Sequence, residues 1–141
     1  MLKIPLVHPE ILAALASAGH GARVLIADGD YPAATTCGKS ARLVHLNLSP
    51  GVVTCTQVLE AVLPVLLVEA AAVMDVPTGQ PEAPIWQTYR NLLKDNGYAL
   101  PLGKLERFDF YQAVMADNTA LIIQTAETRE YANILLTIGS L

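Results

Sequence analysis

Four consecutive residues, Val24-Leu25-Ile26-Ala27, do most to limit what this chain can become. They form a short apolar run between polar and glycine-rich neighbours, and they do not alternate in the manner of a half-exposed strand. A strand of that kind is buried on both faces, so it needs cover above and below. Further strand signals lie at Arg42–Leu48, somewhere within Leu66–Val76, at Thr119–Thr125 through Leu121-Ile122-Ile123, and at Ile134–Ile138.

Helical patterns supply the cover. Pro9–Ala18 opens with a proline and Glu10, carries Ile11, Leu12, Leu15 and Ala18 at helical spacing, and reaches Gly19 as a terminator. Thr54–Leu63 is helical until Pro64 stops or kinks it. Ile85–Asn96 places Trp86, Tyr89, Leu92 and Leu93 on one stripe, with Gly97 beyond the last turn. Leu105–Phe108 reads as a link into another helix, where Asp109 and Gln112 have capping-box spacing. Asp28–Ser40, Ser49-Pro50-Gly51 and Pro77–Pro84 are loops or turns. Helices alternate with strands, and two pairs of strands lack a helix between them. The expected fold is α/β: a single three-layer α/β/α domain over residues 1–141 with a mixed, mostly parallel sheet.

Composition narrows the function. The chain is 52% hydrophobic and only 16% charged, which suggests that some surface is covered by other subunits. No uncharged apolar run approaches the ~20 residues of a membrane helix, and Met1–Pro5 has no signal-peptide core. Cys37 and Cys55 form no Cys-x-x-Cys pair, so a reducing, cytoplasmic setting is expected. A net charge of −4 without a basic run argues against nucleic acid as a partner.

The chemistry-bearing residues flank the first strand. His20, between Gly19 and Gly21, suits proton transfer near neutral pH, or caps the preceding helix. Asp28 ends the strand, where open α/β sheets place ligands, or opens a loop by bonding its own backbone, as Asp30 does in the same reading. Arg107 beside Phe108, Phe110 and Tyr111 either binds hydroxyls or carboxylates or makes a surface ion pair. Trp86 stacks on a sugar face or belongs to the core. His8, before a helix, and His45, in a strand, are weaker candidates. The three histidines have no zinc spacing, and there is no dinucleotide, Walker or nucleophile-elbow motif.

Five motifs then occur in order: Gly19-His20-Gly21; Ala27-Asp28 with Pro32-Ala33; Pro84-Ile85-Trp86 with Tyr89; Glu106-Arg107-Phe108 with Phe110-Tyr111; and Tyr131-Ala132-Asn133-Ile134-Leu135-Leu136. Together they resemble the ribose pyranase / L-fucose mutarotase family end to end, and its fucose branch more closely. The resemblance implies a cytoplasmic, cofactor-free isomerase that interconverts anomers, or pyranose and furanose forms, of a free monosaccharide. It implies His20 as catalytic acid/base. Asp28, Arg107, Tyr131, Asn133 and the backbone around Ala132 would bind the sugar, with no metal. It also implies a ring-built homo-oligomer, for example a decamer. Arg107 stands where the ribose branch has histidine, which tilts the substrate toward fucose-like sugars. Ala132 replaces the family's glycine, and would alter the pocket if that position needs a positive φ.

His20 and Asp28 are eight residues apart, and most of that gap is strand. They could lie as far as ~26 Å apart at opposite ends of it. The expected site is therefore shared between subunits, with His20 supplied by a neighbour. The alternatives are ribose pyranase activity and a non-catalytic sugar-binding or regulatory module on the same fold.

Overall fold

In the computed structural model, which describes residues 1–141, the chain runs α1 (Pro9–Ser17), β1 (Arg23–Ala27), β2 (Arg42–His45), α2 (Cys55–Val62), β3 (Val68–Met74), α3 (Ile85–Asp95), β4 (Leu102–Leu105), α4 (Arg107–Met115), β5 (Thr119–Gln124) and β6 (Ile134–Ile138). One six-stranded sheet has the order β2-β5-β1-β6-β3-β4. The pairs β1–β5, β2–β5 and β3–β4 are parallel, whereas β6 is antiparallel to both neighbours. Five strands therefore share a direction and β6 alone opposes them, giving the mixed, mostly parallel sheet expected.

Both faces of β1 are covered. Val24 and Ile26 pack with Ile11, Leu59, Trp86 and Leu93 from α1, α2 and α3. Leu25 and Ala27 face the other way, toward Phe110 and Val114 of α4 and Tyr31 of the following loop. The result is the three-layer α/β/α arrangement. Val24 through Ala27 have no solvent exposure, and each large apolar side chain so buried contributes about 1.5–3 kcal/mol.

Element ends depart from expectation where local hydrogen bonds override composition. α1 stops at Ser17, before Gly19: Ala18 turns extended, and the Ser17 hydroxyl donates back to the Ala13 and Ala14 carbonyls. It is Gly21, not Gly19, that takes a positive φ of 79°. His8 caps α1, its Nδ1 accepting from the Ile11 N–H at 3.4 Å. α2 begins after Thr54, which forms a capping box with Gln57, and Pro64 lies in a 3-10 turn, Leu63–Val65. α4 begins three residues earlier than its capping-box spacing suggests. Glu106 is its cap, accepting from the Phe108 and Asp109 N–H groups, so Asp109 already lies in the first turn. The edge strand β4 ends at Leu105, where the expected link begins, and its Leu102, Gly103, Lys104 and Leu105 lack the alternation or branching that marks a strand; Arg107 and Phe108, at the other end of that link, already belong to α4. β2 is shorter than Arg42–Leu48, ending at His45.

The order of strands fixes where the loops go. β5 and β6 lie on either side of β1, so the connection between them must pass over the carboxyl end of β1. The crossing is pinned by the Thr125 N–H donating to the Ala27 carbonyl at 3.0 Å and the Gly29 N–H donating to the Glu127 carbonyl at 2.8 Å. No helix is long and apolar enough to cross a membrane.

The loop after β1 is held against the end of α4 at Gly38, where a Cβ would lie 2.6 Å from the Met115 carbonyl oxygen. Backbone on both sides leaves little room to yield. Gly38→Ala should lower stability by about 1–3 kcal/mol in urea denaturation, the usual cost of overpacking.

Candidate active site

The chain that crosses β1 creates a cavity of about 330 Å³, at the small end of ligand pockets. Asp28 closes its floor. The carboxylate accepts from Asn133 Nδ2 at 2.9 Å and from the Asp30 N–H at 3.2 Å, while the Asp28 N–H donates to Asn133 Oδ1 at 2.8 Å. Asp28 and Asn133 thus exchange bonds in both directions, joining the end of β1 to the start of β6. Gln124 Nε2 donates to the Asp28 carbonyl from β5. The Asp28 residue is only 6% exposed. Burial pushes its carboxyl up from 3.8 to about 6, opposed by the Asp30 N–H. Asp28 therefore both bonds its own loop and faces the cavity.

The segment Tyr131-Ala132-Asn133 is braced from below by α3. Trp86 Nε1 donates to the Tyr131 carbonyl at 2.9 Å, and the Tyr89 hydroxyl donates to the Ala132 carbonyl. Trp86 has no exposed surface, so it is core and does not reach the cavity. The positive φ in this segment, 55°, belongs to Tyr131 and not to Ala132. Alanine at 132 is therefore under no backbone strain, and its methyl group packs in the core among residues such as Leu136. Ala132 does not line the cavity; Tyr131 and Asn133 do.

Arg107 comes from the first turn of α4. Its Nε donates to the Tyr111 hydroxyl at 3.1 Å, one turn on, and the guanidinium lies 5.7 Å from the Tyr111 ring centroid and 6.0 Å from that of Phe108. No carboxylate lies within 4.0 Å of it, so the surface ion pair is not formed. The Tyr111 bond holds the guanidinium above its usual range. It is a permanent cation whose terminal N–H groups have no carboxylate partner.

His20 lies elsewhere. Its Nε2 is 2.8 Å from Glu69 Oε2, near the start of β3, whereas Met74 at the far end of β3 lines the cavity with Asp28. Five strand residues at ~3.3 Å each put about 17 Å between these two ends. The turn Gly19–Ala22, closed by the Ala22 N–H on the Gly19 carbonyl, does not return His20 to its own chain's cavity. Nor does the His20 side chain cap α1: its ring bonds Glu69, and the Ala14 carbonyl near the helix end is taken by the Ala18 N–H and the Ser17 hydroxyl.

The cavity thus gathers Asp28, Arg107, Tyr131 and Asn133, but neither His20 nor Ala132. It adds Asp30, Tyr31, Met74, Tyr111 and Glu130. Tyr111 was detectable, being four residues from Arg107 on one helix. Met74 carries the same signal as Asp28, the carboxyl end of a buried strand. Tyr31 and Glu130 carry none, because their positions follow from loop paths.

The profile of the RbsD / FucU transport protein family matches residues 1–141. The chain is 33% identical to human (Homo sapiens) fucose mutarotase over 96% of its own length and 90% of that protein's. It is 34% identical to the mouse (Mus musculus) fucose mutarotase, over 94% and 89%. A solved structure of fucose mutarotase in complex with L-fucose, from Streptococcus pneumoniae, superposes with a TM-score of 0.85 at 27% identity, covering 100% of this chain and 99% of that one. Bacillus subtilis RbsD complexed with D-ribose shares the fold, with a TM-score of 0.78 at 20% identity over 100% and 99% of the two chains. By sequence along its whole length, and by fold, the chain belongs to the RbsD / FucU transport protein family.

Proposed function

We propose that this protein is an isomerase that interconverts the anomers of a free monosaccharide, with an L-fucose-like sugar as substrate. One observation carries the reading. A cavity of about 330 Å³ joins a carboxylate, an amide and a guanidinium with no carboxylate partner to aromatic surface. That is the donor and acceptor set that a ring of hydroxyls requires. The likeness to fucose mutarotases supports fucose over ribose, as does an arginine at position 107.

Anomer exchange needs two proton movements. The anomeric hydroxyl loses its proton as the ring oxygen gains one, the bond from C1 to the ring oxygen breaks, and C1 becomes an aldehyde carbonyl. Rotation about C1–C2 and the reverse steps give the other anomer, with no net change in atoms or electrons. Asp28 accepts from a sugar hydroxyl, while Arg107 and Asn133 donate to hydroxyl oxygens, and Tyr111 and Tyr131 offer ring surface. Fixed hydroxyls keep the open chain in place until it recloses. His20 exchanges the protons, and it does so in a neighbour's cavity, because its own lies at the far end of β1. Exposed apolar side chains support such an assembly: Leu2, Ile4 and Val7 near the N-terminus, and Phe108, 67% exposed, beside Arg107.

One observation favours a second reading. Asp28 sits in the cavity with its carboxyl near 6, a range suited to proton transfer. It could move both protons within one chain, leaving His20 without a role.

Exchange NMR with L-fucose, D-ribose, galactose and rhamnose should show accelerated anomer exchange, greatest for L-fucose. No acceleration for any of them would remove the proposal. His20→Ala and Arg107→Ala chains, each inactive alone, should regain activity when co-expressed, up to about a quarter of wild type for random assembly of shared sites. Absence of any recovery would favour a one-chain site. Because the Asp28 carboxyl is raised in the folded protein, the folded state holds a proton that the unfolded chain has released between about pH 4 and 6. Stability should therefore fall as pH rises through that window, by up to about 3 kcal/mol. Asp28→Asn should remove this component, as measured by denaturation across pH.

A further inference from the structure

We infer that Glu69 is a positioning residue for His20, its carboxylate fixing which imidazole nitrogen is free to handle protons. The inference rests on the role given to His20 above. Glu69 Oε2 lies 2.8 Å from His20 Nε2, and no other carboxylate comes within 4.0 Å of that ring. An ionised carboxylate only accepts hydrogen bonds, so Nε2 carries the hydrogen and Nδ1 keeps the lone pair. The bond also restrains an exposed ring that would otherwise rotate freely among rotamers.

The backbone is shaped to make this pair. Val68 pairs with Ile138 and Ala70 with Thr137, so Glu69 is the extra residue at an irregularity between β3 and β6. Such bulges re-aim a side chain. Gly139 accommodates it: its N–H donates to the Leu67 carbonyl at 2.9 Å, and a Cβ there would lie 3.4 Å from Glu69 Cβ. The same end of β6 holds the histidine turn. The Gly21 N–H donates to the Ile138 carbonyl at 2.9 Å, and the Ile138 N–H donates to the Ala22 carbonyl at 2.8 Å. Asn118 Nδ2 secures the Gly21 carbonyl at 3.1 Å. Arg23, the nearest cation in sequence, directs its guanidinium to the Ala113 carbonyl and does not compete for Glu69. The side chains of His20 and Glu69 are 59% and 44% exposed. A pair so exposed adds little to stability, so its organised support serves orientation.

The test compares Glu69→Gln, Glu69→Ala and His20→Ala as assembled proteins, with L-fucose exchange as the readout. Both Glu69 variants should lose ~10- to 100-fold in kcat with KM within ~2-fold, the pattern of a lost orienting group. Their melting temperatures should match wild type. In the ¹⁵N-labelled wild type, the neutral His20 ring should show a protonated Nε2 and an unprotonated Nδ1. Wild-type kcat in both Glu69 variants while His20→Ala is inactive would overturn the positioning role alone. So would a protonated Nδ1 in the neutral ring, or a rise in KM at unchanged kcat, which would assign Glu69 to sugar binding. A fully active His20→Ala would instead overturn the role of His20 itself.

Discussion

The position of β1 between β5 and β6 is the constraint on which the rest of the site depends. Two strands consecutive in sequence sit on opposite sides of a third, so their connection has no path except across that strand's carboxyl end. One wall of the cavity follows from this crossing, while Arg107 and Tyr111 reach it from α4. The crossing delivers Asn133 to Asp28, sets the Glu127 carbonyl on the Gly29 N–H, and carries Tyr131 over the pocket. A hairpin between β5 and β6 would leave Asp28 an ordinary loop residue.

The crossing also explains why the polar groups can be buried there. A carboxylate taken from water is costly unless its oxygens are bonded. Asn133 and the Asp30 N–H bond the oxygens of Asp28, yet burial still outweighs them and the carboxyl is raised. Tyr131 departs from ordinary backbone geometry and is held by two aromatic donors of α3, Trp86 and Tyr89, acting on successive carbonyls. Two core residues thereby set the shape of a surface pocket.

Much of this architecture was legible in the residues. Arg23–Ala27 and Ile134–Ile138 are strands over those spans because continuous apolar runs leave little choice of structure. β4 was not legible: an edge strand needs only one partner and can be built from Leu, Gly and Lys. The start of α4 is not legible either, because Glu106 caps it and the Asp109-Gln112 spacing does not reveal that cap. In the site, strand periodicity predicted Asp28 at a ligand-bearing end and His20 at the other. Single residues could not reveal that the backbone at 132 is unstrained while 131 takes the positive φ, since that depends on what α3 holds. Nor could they reveal Glu69, whose direction comes from a bulge.

β6, the lone strand running against the others, meets the two polar centres with its opposite ends. Asn133, just before it, grips Asp28, and Ile138 and Gly139, at and beyond its close, hold the His20 turn and the Glu69 bulge. It is a strut of fixed length between them. A one-residue slip of β6 would unseat both ends at once, so neither centre can be retuned by sliding this strand without disturbing the other. Adaptation to a different ligand is thereby channelled into the loops and α4, where Arg107 and Tyr111 can change while the strut stays still.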